Sequence, residues 1–110
     1  MSINIAPVIE FAQVPRSPAF AAELDHAEFV LIPQCMSRIT DAALRDPILM
    51  SAAHLANNIA KLKAGLEAGL SDESLQAPYL DYLLYLDAVN HWTNAPAGVR
   101  FPEGEANAEQ

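Results

Sequence analysis

The sequence predicts a mainly α fold: a small helical bundle built on a helical hairpin (about 47–69 and 78–93), with an extended N-terminal arm and a disordered C-terminal tail. Three observations predict it. Apolar residues between 47 and 93 recur every three or four positions, the period of one helix face. A capping residue is followed by proline at Ser17-Pro18 and again at Asp46-Pro47, the pattern of a helix start. Pro96, Gly98, Pro102 and Gly104 crowd the end of the chain, where no periodicity survives. The length of 110 residues suits one domain. The expected division is an arm over 1–16, a helical domain over 17–93 and a flexible acidic tail over 94–110.

In the arm, Ile3, Ile5, Ile9 and Phe11 alternate with smaller or polar residues, but Pro7 and Pro15 cannot donate to a central strand. An extended segment lying across a helical surface is expected. Ser17 and Pro18 then open a helix to about residue 27, carrying Phe20, Leu24, Ala27 and Leu31 at helical spacing. Residues 28–32 have strand propensity as well, so their state is open, and Pro33 is expected to end whatever precedes it. A short helix is expected over 34–45, with Cys35, Met36, Ile39, Ala42 and Ala43 on one side. Asp46-Pro47 should close it and open the next.

Helix 47–69 carries a continuous stripe of Ile48, Ala52, Leu55, Ile59, Leu62 and Leu66. Beside it, Leu49, Ala53, Ala56 and Ala60 are small enough to admit a neighbouring helix. Ser51, His54, Asn58, Lys61 and Gly65 are assigned to the polar side, and Gly69 to the C-terminal stop. Ser71 opens the next helical segment. Pro78 means either a kink or a main helix that begins near it after one short turn. The body, 79–93, has a primary stripe of Leu75, Tyr79, Tyr82, Leu86 and Val89. Leu80, Leu83, Leu84 and Tyr85 lie outside that stripe, so the helix is apolar almost all round and needs covering on several sides. The surplus points to an interface with another copy or a partner.

Charge narrows the function classes. The net charge is −8. Residues 1–63 carry five basic and six acidic residues, whereas 64–110 carry one basic and eight acidic ones. Phosphate backbones need Lys and Arg, so direct nucleic-acid binding is not expected. The acidic half suits solubility, or contact with a basic protein surface. No apolar stretch approaches a membrane span. The first fifteen residues hold no Lys or Arg, unlike a secretory signal, and the single cysteine makes no internal disulfide framework. A cytoplasmic location follows as the expectation.

Catalytic and metal-binding patterns are sparse. Cys35 and the scattered His26, His54 and His91 match no zinc spacing, and no cofactor or metal is expected. Asp87 and His91, four apart, read as an ordinary surface pair. Cys35 reads as a small core residue rather than a nucleophile. No glycine loop suits a phosphate. The acidic clusters Glu23-Asp25-Glu28 and Asp72-Glu73 read as solvated helix ends. The concentrated feature is aromatic. Tyr79, Tyr82, Tyr85, Val89 and Trp92 project from one helix, and such residues are enriched at interaction hot spots. They are the expected interface, with core packing as the plain alternative.

The form is similar in style to toxin-immunity proteins and phage-encoded inhibitors, a resemblance of composition that transfers no residue. The functional expectation is a non-enzymatic, acidic protein-interaction module, self-associating, acting as inhibitor, adaptor or assembly factor on a larger protein with a basic or apolar surface. The first alternative is a small-ligand binder or enzyme with a pocket around Tyr82, Tyr85, His91 and Trp92. The second is a structural subunit of a larger assembly.

Overall fold

The computed structural model describes residues 11–39 and 42–95, with the side chains of Ala42 and Ala43 excepted. The expectations for residues 1–10, for the tail from 96 onward and for the faces of Ala42 and Ala43 lie outside the described residues. Within them the fold is mainly helical, in the order α1 (Pro18–His26), a π turn (Ala27–Leu31), α2 (Ile32–Met36), α3 (Ala42–Glu67) and α4 (Gln76–Asn94).

Helix α1 begins as its sequence dictates. Ser17 is extended, its Oγ accepts from the Phe20 amide at 3.3 Å, and Pro18 occupies the first helical position. Pro33 does not end the helical path, contrary to expectation. The chain widens into the π turn, with the Ile32 amide donating to the Ala27 carbonyl five residues back, and continues through Pro33 as α2. A proline ring collides with the carbonyl four residues before it in α geometry, and a wider turn at that point relieves the collision. The helix expected over 34–45 is corrected as well. α2 stops at Met36, the Ile39 amide closes a tight turn on the Met36 carbonyl, and a new helix starts at Ala42.

Asp46-Pro47 neither closes nor opens a helix. Pro47 lies inside α3, in its second turn. Only about one turn of helix precedes it, so the backbone near the helix end absorbs the lost hydrogen bond and the ring. The other end follows expectation. Gly69 has φ +74°, the Leu70 amide donates to the Gly65 carbonyl at 2.9 Å and the Gly69 amide to Leu66 at 3.1 Å. These two bonds form a Schellman cap, for which the left-handed glycine is the natural residue.

The link to α4 contains one short turn, closed by the Leu75 amide on the Ser71 carbonyl, with Ser71 Oγ accepting from the Ser74 amide. α4 then starts at Gln76 with Pro78 in its first turn, the second of the two arrangements the sequence allowed. The hairpin is antiparallel: Gly65 meets Leu75, His54 stacks on Tyr85, and Pro47 shares a groove with Trp92.

The α3 stripe is the core, with Ile48, Leu55, Ile59 and Leu62 fully buried and Ala52 nearly so. Two expectations about its flanks reverse. Ser51, Asn58 and Gly65, assigned to the polar side, are buried. Their seven-residue spacing places small side chains on the side that faces α4, and Asn58 satisfies its amide on the His54 carbonyl at 2.8 Å. The alanine flank admits no helix: Ala53 and Ala60 are exposed and Ala56 is half-buried.

α1 and α2 pack across the hairpin. Phe20 meets Tyr79 and Tyr82 edge-on, with each pair of centroids 6.0 Å apart. Lys63 Nζ bridges Asp25 at 2.7 Å and Glu28 at 2.5 Å and sits 5.2 Å from the Phe29 ring centroid, tying α3 to the α1 side. The Arg38 guanidinium donates to the Ala95 carbonyl. Residues 11–16, without regular structure, lie against the start of α4. The Gln76 side chain accepts from the Ala12 amide at 2.8 Å and donates to its carbonyl at 3.1 Å, Arg16 pairs with Asp72 at 2.9 Å, and Val14 is buried.

Candidate interaction surface

The five residues expected to form an interface divide. Tyr82, Val89 and Trp92 are buried within the chain, so for these three the expectation is corrected: they face the inner side of α4 and belong to the core. Tyr79 and Tyr85 are half-buried. Tyr79 lies against Phe20, and Tyr85 stacks on His54 with centroids 4.7 Å apart and planes 19° from parallel. The aromatic stripe therefore holds the helices to one another more than it offers a face to a partner.

The apolar surplus remains on the outside of α4, carried by leucines. Leu80, Leu83 and Leu84 are 48%, 41% and 60% exposed. Leu80 and Leu84 stand one turn apart on the side opposite the core, with the buried Ala88 one turn further and turned towards α3. This strip runs into a groove between the first half of α3 and the second half of α4. Pro47, Met50 and Ser51 line one wall, and Leu84, Tyr85, Ala88 and Trp92 the other, around a volume of about 420 Å³. Met50 is 61% exposed at its rim. The groove lies where the side chains of Ser51 on α3 and Ala88 on α4 are small.

Sequence reasoning found the leucines but not the α3 wall. Met50 fell outside every stripe, and Ser51 was placed on the polar side. The available signal was the small-residue spacing of Ser51, Asn58 and Gly65, which turns this side of α3 towards α4. Of the four residues expected to line a pocket, Tyr85 and Trp92 reach the groove, whereas His91 is not part of its lining and meets Trp92 edge-on at 5.2 Å, and Tyr82 points to α1 and donates its hydroxyl to Glu23 at 2.8 Å.

Cys35 is fully buried, and burial pushes its thiol pKa up, against the smaller opposing influences of Thr93 and Arg38. A nucleophilic cysteine needs the reverse shift. A second hollow of about 300 Å³, lined by Leu24, Asp25, Lys63 and Leu66, has its cation engaged by two carboxylates. Among the described residues, no helix is long and apolar enough to cross a membrane.

Comparison with known protein families, characterised proteins and solved structures finds no match to this chain.

Proposed function

We infer that this chain is a non-enzymatic protein-interaction module that docks through the outer face of the α3–α4 hairpin, serving as inhibitor, adaptor or assembly factor on another protein. One observation carries the reading: the exposed leucines of α4 run continuously into an apolar groove between two helices. A face of this kind is the form in which helical proteins receive an amphipathic partner. Two occupants fit the apolar chemistry, a second copy and a different protein.

Light scattering after size exclusion, with an apolar-dye titration of the same fractions, tests the reading. The expected result is a mass above one chain at micromolar concentration, or saturable dye binding, either one lost in Leu84→Glu. A monomer that binds no dye overturns it.

Small-ligand binding in the same groove is the second reading, supported by a volume of about 420 Å³, inside the roughly 300–1,000 Å³ range of ligand sites. Saturable binding of a small apolar molecule, unaffected by Leu80→Glu on the outer strip but lost on filling the groove with Ala88→Phe, is its expected signature.

A further inference from the structure

We propose that the occupant of the α3–α4 face is an amphipathic helix of another protein, carrying Lys or Arg along both borders of its apolar stripe. This rests on the interaction-module reading and names the partner's chemistry. The apolar part of the argument is the strip of Leu80, Leu84 and Ala88 and the groove beside it. The charge part comes from what borders the strip. At about 100° per residue, Asp81 falls just beyond Ala88 on one side and Asp87 just beyond Leu80 on the other. Both carboxylates are exposed. Asp46 adds a third at the Pro47 end, 85% exposed and only loosely paired with Arg45 at 3.6 Å. Lys61, exposed about two turns beyond His54 on the same side of α3, places a cation on the α3 border beyond the groove. The leucine strip, with the half-buried His91 at its C-terminal end, is thus flanked on α4 by Asp81 and Asp87, and its complement is apolar in the middle and basic where it meets these two carboxylates.

The same carboxylates disfavour a second copy. Two α4 helices paired antiparallel about Leu84 would set Asp81 of each copy against Asp87 of the other. Like charges meeting at the rim oppose such pairing, as does a net charge of −8 on each chain.

The test titrates the full chain with two synthetic helices that share leucines at every third or fourth position. One has lysine on both borders, the other glutamate. Trp92 is the single tryptophan and lines the groove, so its fluorescence reports occupancy. The lysine peptide should saturate the signal, and the glutamate peptide should bind at least about tenfold more weakly. Leu84→Glu should weaken the lysine peptide by about tenfold or more, although it adds negative charge. Unspecific attraction would instead strengthen. Asp81→Asn with Asp87→Asn should weaken binding and flatten its salt dependence. Equal binding of the two peptides, or tighter binding to Leu84→Glu, overturns the proposal. If neither peptide binds and the chain dimerises through Leu84, the basic helix is overturned while the interaction module stands. If neither binds and the chain is a monomer that takes up no apolar dye, both fall.

Discussion

Tyr82 donates its hydroxyl proton to a Glu23 carboxylate oxygen at 2.8 Å, so a ring sealed inside the hairpin ends in a bond to the outside of α1. Burial first, and the adjacent Glu23 carboxylate second, push the phenol pKa above its ordinary value of 10.0. The folded state therefore holds a proton that the unfolded chain releases near that value. Stability from this group is fully present below about pH 10 and falls as the pH rises beyond it, because the unfolded state then binds fewer protons. Urea midpoints at about pH 8 and about pH 10.5 should differ in the wild type more than in Tyr82→Phe. At about pH 8 the Phe variant should lose about 1 kcal/mol, the size of one hydrogen bond to a group that water can reach. An unchanged midpoint in both would show that the Glu23 contact contributes nothing.

Asp72 carries the opposite shift. The Arg16 guanidinium first, and the Val14 amide second, lower its pKa below the ordinary 3.8. The contact that seats residues 11–16 is thus intact above that value and lost as the pH falls through the lower folded one. The protection of the Val14 amide against exchange, relative to a free amide at the same pH, should fall over that acid range, and at neutral pH in Asp72→Asn, since the Val14 N–H meets Asp72 Oδ1 at 3.3 Å. Slow exchange in the variant would assign the seat to Val14 burial and the Gln76 pair instead.

Gly65 is required by approach rather than by backbone angle. A Cβ added there would lie 2.3 Å from Leu75 Cδ2, inside the buried helix crossing. Gly65→Ala gains about 1 kcal/mol of helix propensity but forces Leu75 aside, a clash of about 1–3 kcal/mol. We expect net destabilisation in a denaturant titration. In a Leu75→Ala background the same substitution should become neutral or stabilising, and failure of that reversal would place the close contact elsewhere.

Leu55→Ala and Ile59→Ala should each cost about 2–5 kcal/mol, since both side chains are fully enclosed. Trp92→Ala should cost about 3–5 kcal/mol for the same reason. Tyr85→Ala should cost less than Leu55→Ala, because its ring is half-buried against His54. Comparing the denaturant midpoints of the four variants ranks them. A Tyr85→Ala loss equal to that of Leu55→Ala would make the groove wall part of the folding core.

Cys35 should resist a thiol reagent in the native state and react fully in denaturant, because it is enclosed and its thiolate is disfavoured. Native reactivity at the rate of a free thiol would reveal opening of α2 away from the hairpin.

The helical hairpin was legible in the sequence because periodicity reports burial directly: Ile48, Leu55, Ile59 and Leu62 needed no knowledge of their partners. The leucine surplus of α4 was legible for the same reason. The residues misread were those whose place is set by a neighbour. Small polar side chains at Ser51 and Asn58 look solvent-facing until α4 is laid against them, and Ala53 and Ala60 look like a contact until nothing arrives. Tyr82 and Trp92 carry polar tips that suit a surface or a core equally. Prolines misled most, because a proline marks a helix end only where the backbone cannot widen, as it does before Pro33, or yield near a terminus, as it does around Pro47.

The π turn at Ala27–Leu31 gives residues 18–36 two rotational phases instead of one. Counted on in α geometry from the inward side chains Phe20, Leu24 and Ala27, Gln34 would point as near the core as Cys35. The widened turn lags the spiral by about one residue's rotation, roughly 100°. Cys35 consequently enters the core with no exposed surface, and Gln34 swings out to solvent. A single helical wheel drawn over the whole segment must fail, while two wheels meeting at the turn place both halves. Excising one residue from that turn would restore a continuous α spiral that still turns Cys35 inward, whereas closing the turn at full length would swing an amide towards the space the thiol now fills.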